Sequence, residues 1–132
     1  MNQAQENKEF ILRYYNAVSG NLKTVELLSQ FIDDPVLIDC ITFFDGAFPR
    51  YNMTADEMTS EGNRVVVRAT MSGRHEGIYS GIMPTYRKVK FPVIVSYEIV
   101  NNKIATHWLV GDQMVIMEQL GVEMVAADAC LV

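Results

Sequence analysis

Asp112 is the residue whose neighbours best equip it to move a proton. It follows the run Lys103-Ile104-Ala105-Thr106-His107-Trp108-Leu109-Val110-Gly111 and precedes Gln113 to Leu120, with Gly121 next. The first run reads as a strand, the second as a short amphipathic helix stopped by glycine. Upstream, Val89 to Val100 reads as a long strand. Asn101-Asn102 supplies a tight hairpin turn, because asparagine tolerates positive φ. A two-residue turn sets the expected register: Ile99 opposite Ile104, Tyr97 opposite Thr106, Val95 opposite Trp108, Val93 opposite Val110 and Phe91 opposite Asp112. Opposed residues share a face. Phe91, Val93, Trp108 and Val110 should then form an apolar wall with Asp112 at its rim. Such a wall disfavours the carboxylate and raises its pKa, which suits a group that takes and returns a proton near neutral pH. Asp112 also has a structural reading, as the N-cap of helix 113–120. The two roles are compatible.

Other side chains could serve the same pocket. Tyr14 and Tyr15 offer phenols, although aromatic residues on a helical stripe are usually core. His75 stands in a glycine-rich loop. Trp108 is pocket wall or core. In the expected register His107 and Glu98 fall on the face opposite Asp112. The two cysteines have no metal-ligand spacing, and no metal site is expected. Cys40 and Cys130 are far apart in sequence and read as reduced thiols.

The elements that must position these residues come in a segregated order. Apolar residues at helical spacing predict a helix over 9–18, ended at Gly20-Asn21, and a second over 22–31 with Leu22, Val25 and Leu28 inward. Asp33-Asp34-Pro35 stops helical structure, and 36–39 suits a brief strand. Residues 41–48 are ambiguous. From Tyr51 the pattern alternates: a weak strand over 51–59, the turn Ser60-Glu61-Gly62-Asn63, and a strong strand over 64–72. Helices first, then an antiparallel meander, predict an α+β fold with helices on one face of a curved sheet. The apolar tail 122–132 has no assigned place.

Composition bounds the function. A chain of 132 residues, 49% hydrophobic and 20% charged, suits one domain over 1–132 with a real core. A net charge of −5 argues against nucleic acid or anionic membrane as partner. Met1 to Asn7 lacks a charged-then-apolar leader, and no apolar run reaches membrane-spanning length. A cytoplasmic location is therefore expected.

Several spaced motifs together carry a resemblance. They are His75-Glu76-Gly77-Ile78-Tyr79-Ser80-Gly81-Ile82-Met83-Pro84-Thr85-Tyr86-Arg87, Phe91-Pro92, Lys103-Ile104, His107-Trp108, Asp112 and Gln119-Leu120-Gly121. Arg13-Tyr14-Tyr15, Gly20-Asn21-Leu22 and Phe31-Ile32-Asp33-Asp34 extend it over most of the chain. The chain resembles the SnoaL-like polyketide cyclases, within the nuclear-transport-factor-2-like superfamily of cone-shaped α+β domains. The resemblance implies ring closure of a polyketide ester by intramolecular aldol condensation, without metal or cofactor. It implies an acid/base role for Asp112, which matches the acid after the His-Trp pair. Ketosteroid isomerases, in the same superfamily, suggest Asp39 as an alternative base. The family usually has glycine where this chain has Tyr86, and its helix before the Phe-Pro segment is here shortened to Ile41–Phe48.

Two functions follow as expectations. One is a cofactor-free cyclase or isomerase acting on a hydrophobic carbonyl compound. The other is a non-catalytic small-molecule-binding or dimerisation module of the same fold. Eight methionines, among them Met71, Met83, Met114 and Met117, would soften such a pocket. The second face of the hairpin, with Ile94 expected opposite Leu109, is too apolar to be wholly solvated, and predicts a homodimer through the sheet.

Overall fold

The structure, a computed structural model, describes residues 2–121. The tail 122–132, with Cys130, lies outside the described residues. The chain runs α1 (Gln3–Val18), α2 (Val25–Ser29), α3 (Pro35–Ala47), β1 (Asn52–Glu61), β2 (Arg64–Arg74), β3 (Lys88–Val100), β4 (Lys103–Gly111) and α4 (Gln113–Leu120). The four strands form one antiparallel meander in chain order. Bulges in β1 and β4 curve the sheet, and the helices fill its concave face. The α+β expectation holds.

Helix α1 begins where Asn2 accepts a hydrogen bond from the Gln5 N–H, six residues before the expected start. Phe10, Ile11, Tyr14, Tyr15 and Val18 form its buried stripe, and it packs across β1 and β2. The second helix is shorter than expected. Thr24 caps it at Val25, so Leu22 and Val25 are exposed and Leu28 alone is buried.

The main departure among the helices is α3, which replaces the expected strand over 36–39. Asp34 stays extended before Pro35, as proline requires, but its side chain accepts from the Val36 and Leu37 N–H groups. Proline at the first helical position is preorganised for a helix and lacks an N–H that would be unpaired anyway. The stop signal is therefore a start signal. Leu37, Cys40, Ile41, Phe44 and Ala47 then face the core at helical spacing. The loop after β2 docks on the end of this helix, where Glu76 and Gly77 donate to the Ala47 carbonyl. Any Cβ at position 77 would collide with the Gly46 carbonyl, so glycine is required there.

The β3–β4 hairpin turns at Asn101-Asn102, both at positive φ, with Ile99 opposite Ile104 as expected. Beyond that pair the register shifts. Ala105 bulges, and Thr106 lies opposite Glu98, His107 opposite Tyr97, Trp108 opposite Ser96, Leu109 opposite Val95, and Val110 opposite Ile94. Ile104 and Leu109 both need burial, yet they are five residues apart, an odd spacing that strict alternation cannot satisfy. One extra residue resolves it. The same backbone is drawn outward, since Ile104 donates to the Phe31 carbonyl and accepts from the Asp33 N–H. Phe91 and Val93 are buried as expected, but it is the half-buried His107 and Leu109 that share their face, in place of Trp108 and Val110.

Asp112 caps α4 through Oδ1, which accepts from the Met114 and Val115 N–H groups, and Gly121 closes the helix in the left-handed conformation. Gln119 accepts from the Lys90 N–H at 2.6 Å and donates to its carbonyl at 2.7 Å. It thereby completes the edge of β3 where β4 has already ended.

Candidate functional site

A cavity opens between α1, α3 and the concave face of the sheet. Tyr14 and Val18 line it from α1, Leu37, Cys40, Ile41 and Phe44 from α3, Tyr51 from the residue just before β1 and Met53 from β1. Met71, Tyr97 and Leu109 close it from the sheet. Its free volume is about 30 Å³, room for one or two waters.

The polar groups in this apolar space are phenols. Tyr97 and Tyr15 share a hydrogen bond between hydroxyls at 2.8 Å. Tyr14 and Tyr51 are 4% and 5% exposed, and their hydroxyls have no hydrogen-bond partner among the described residues. Burial pushes all four phenols above their usual range. Neighbouring phenols add to this at Tyr14, Tyr51 and Tyr97, while the bond from Tyr97 opposes it at Tyr15. They therefore remain protonated, as donors. Beneath Tyr51, the Lys23 ammonium sits 3.9 Å from the ring centroid and donates to the Tyr51 carbonyl at 2.8 Å. Asp45 anchors that end by pairing with Lys23 at 3.5 Å and accepting from the Arg50 N–H.

At the β4 side stands an acid–imidazole pair. His107 Nδ1 lies 2.6 Å from Asp34 Oδ2, with side chains 13% and 11% exposed. Asp34 Oδ1 is already held by the first turn of α3. Since the carboxylate only accepts, the proton of a neutral imidazole belongs on Nδ1, and Nε2 keeps its lone pair. Nε2 has no other partner among the described residues. His107 faces Tyr97 across the ladder and precedes Leu109 by two, and Asp34 precedes Leu37 by three. Neither His107 nor Asp34 is itself a lining residue; the pair adjoins the wall through its neighbours Tyr97, Leu109 and Leu37.

The residues singled out from sequence are dispersed. Tyr14 lines the cavity, and Tyr15 stands behind it, bonded to Tyr97. Phe91 and Val93 are core beneath it. Asp112 is an exposed cap and is not among the lining residues. Asp39 lies on the exposed face of α3 rather than at the end of a strand. Trp108 is 59% exposed on the convex face, with Val110 half-buried beside it. His75 is fully buried outside this cavity, against Phe48 with ring centroids 5.6 Å apart. Its Nδ1 accepts from the Thr85 N–H, and burial pulls its pKa below the usual imidazole range. Among the described residues, no group of three or more His, Cys, Asp or Glu side chains could hold a metal ion. No described helix is long and apolar enough to cross a membrane.

Sequence reasoning missed His107 because the bulge reverses the face of every residue from 106 to 111, and Asp34 because Asp34-Pro35 starts a helix rather than stopping one. The five-residue spacing of Ile104 and Leu109 was the available signal.

Comparison with known proteins bears on this site. The family model of SnoaL-like polyketide cyclases matches residues 36–120, from α3 to the last residue of α4. No curated protein sequence matches. Among solved structures, AclR of Streptomyces galilaeus superposes with a TM-score of 0.77 at 19% identity, covering 90% of this chain and 83% of AclR. A SnoaL-like polyketide cyclase of Agrobacterium tumefaciens gives 0.71 at 21% identity, with 87% and 98% covered. TsrD of Streptomyces laurentii gives 0.69 at 23%, with 90% and 95% covered. At these identities the structures speak for the fold, which is nuclear-transport-factor-2-like. The family model covers well over half the sequence, including β4 with His107 though not Asp34, so the chain belongs to the SnoaL-like polyketide cyclase family.

Proposed function

We propose that the protein catalyses cofactor-free proton transfer on a hydrophobic carbonyl compound, closing a ring in a polyketide-like chain or isomerising a related ketone. The observation that carries this reading is the His107–Asp34 pair beside a cavity lined by Tyr14 and Tyr51, with His107 Nε2 and both phenol hydroxyls lacking a hydrogen-bond partner among the described residues. In the proposed reaction His107 Nε2 takes a proton from carbon next to a carbonyl, and the electron pair moves to the carbonyl oxygen. Tyr14 and Tyr51 donate hydrogen bonds to that enolate oxygen. The enolate carbon then attacks a second carbonyl, a carbon–carbon bond forms, and the imidazolium returns its proton to the new alkoxide. Acid–base catalysis of this kind supplies ~10²–10⁴-fold, and each oxyanion donor adds ~10²–10³-fold. Substrate must widen a cavity of about 30 Å³, and Met53, Met71 and Leu109 are the adaptable side chains in its wall.

The test is exchange of the acidic α-protons of a β-keto ester in D₂O, followed by NMR. Wild-type protein should accelerate exchange, and His107→Gln should lower the rate at least ~10²-fold with the fold unchanged. Equal rates in the two proteins refute the base assignment.

The motif match supports a rival assignment of the proton transfer to Asp112. Its exposed capping geometry supports a structural role instead. The reading as a non-catalytic module draws support from the small cavity volume, and absence of exchange with any carbonyl probe would favour it. On either reading we propose a homodimer through the convex sheet face, where Ile94, Val110 and Trp108 stand together.

A further inference from the structure

At the far end of the convex face, away from the cavity, the sheet carries a groove of about 520 Å³. Its walls are Asn52, Ser72, Arg74, Lys88, Lys90 and Gln119 with intervening backbone, and among the described residues no carboxylate lines it. The net charge of the chain is −5, so a purely basic groove runs against the composition.

The strand pairing sharpens the anomaly. Arg74 lies directly opposite Lys88, and Ser72 opposite Lys90. Like charges directly opposed across a ladder are destabilising. At the other end of the same face the arginines are neutralised across the strands: Arg64 pairs with Glu98, and Arg68 with Glu57. Arg74, Lys88 and Lys90 have no ion-pair partner among the described residues.

Arg74 is also held in place. Its Nε donates to the Tyr86 carbonyl at 3.0 Å, and its guanidinium lies 5.7 Å from the centroid of the Tyr86 ring. Tyr86 occupies φ 60, a left-handed conformation that favours glycine, although its ring is 58% exposed. The Tyr86 N–H donates to the His75 carbonyl at 2.8 Å, and its side chain is left to face Arg74. The two terminal nitrogens of the guanidinium have no hydrogen-bond partner among the described residues and can form a bidentate fork.

We propose that this groove binds the phosphate group of a phosphorylated small molecule, with Arg74 as the fork and Lys88 and Lys90 as flanking charges. Three cations match a phosphate or diphosphate better than a carboxylate, which would leave two of them unneutralised. A concave volume of this size suits a small molecule. Ile94 lies four residues along β3 from Lys90, roughly 13 Å at the strand rise, so dimerisation about Ile94 and Trp108 leaves the groove open.

Inorganic pyrophosphate titrated into the ¹⁵N-labelled full chain tests this, with acetate at equal ionic strength as comparator. Saturable amide shifts at 72–74, 86–90 and 119 are expected. Arg74→Gln and Lys88→Gln should each weaken binding about tenfold. Tyr86→Gly should weaken it severalfold without lowering stability, whereas Lys8→Gln should leave it unchanged. Three results would overturn the proposal: wild-type affinity in both Arg74→Gln and Lys88→Gln, acetate binding as tightly as pyrophosphate, or shifts spread over every surface lysine without saturation. Preference for an acidic polypeptide such as poly-glutamate over pyrophosphate would overturn it in favour of a protein partner.

Discussion

An aspartate at a helix N-cap needs one oxygen for the cap and has a second to spare. Asp34 and Asp112 both cap through Oδ1, at 3.1 and 3.3 Å and at 3.0 and 3.4 Å. They differ in the other oxygen. Asp34 Oδ2 holds His107, whereas that of Asp112 has no hydrogen-bond partner among the described residues. The capping signature of Asp112 was readable from Asp112 and Gly121 alone, but which cap also holds an imidazole depends on tertiary register. A second residue-scale expectation concerns His75. Burial holds its imidazole below its ordinary 6.5, so the unfolded chain binds a proton through a range where the native chain does not. Native stability from this group is intact above about 6.5 and declines as pH falls towards the lowered folded value. Urea midpoints measured at pH 7 and pH 5 should therefore fall more in wild type than in His75→Asn, whose side-chain oxygen can still accept from Thr85. Parallel slopes would contradict this.

At the scale of elements, α3 and the β4 bulge decide where the acid–imidazole pair sits. The strands over 64–72, 89–100 and 103–111 were legible because alternation is a local signal. The helix at 35–47 was not, since Asp34-Pro35 reads equally as a stop before a loop and as a cap with proline at the first position. The bulge was hidden because its cause is the joint burial of Ile104 and Leu109 against different neighbours. Deleting Ala105 tests that cause. The shortened strand must either expose Leu109 and His107 while burying Trp108 or break the Asn101-Asn102 turn. A loss of more than about 3 kcal/mol in urea unfolding is expected, as for other changes that invert a buried face. A change below about 0.5 kcal/mol, typical of a surface site, would mean the bulge is incidental.

For the whole molecule, the two faces of the sheet divide the work. The concave face holds the core, the cavity and the acid–imidazole pair. The convex face exposes Trp108 and Ile94 at 59% and 44%, more apolar surface than a solvated sheet needs. An assembly face was expected there from the sequence, but Val110 and Trp108 now stand where Leu109 was expected. Sedimentation velocity at micromolar concentration should find a dimer, and Trp108→Ser should shift it to monomer with little change in monomer stability. A wild-type monomer would remove the assembly proposal without touching the cavity.

The central claim is that proton transfer belongs to His107 and Asp34. Asparagine caps a helix about as well as aspartate, so Asp34→Asn and Asp112→Asn should fold alike and differ only in chemistry. At position 34 the amide cannot accept a proton as a carboxylate does, and when it donates to Nδ1 the proton is forced onto Nε2, where the base should be. The rate of α-proton exchange in a β-keto ester, measured side by side in the two variants, should fall ~10²-fold or more in Asp34→Asn and stay near wild type in Asp112→Asn. The reverse pattern, with Asp112→Asn inactive and Asp34→Asn active, would contradict the assignment and return the proton to Asp112.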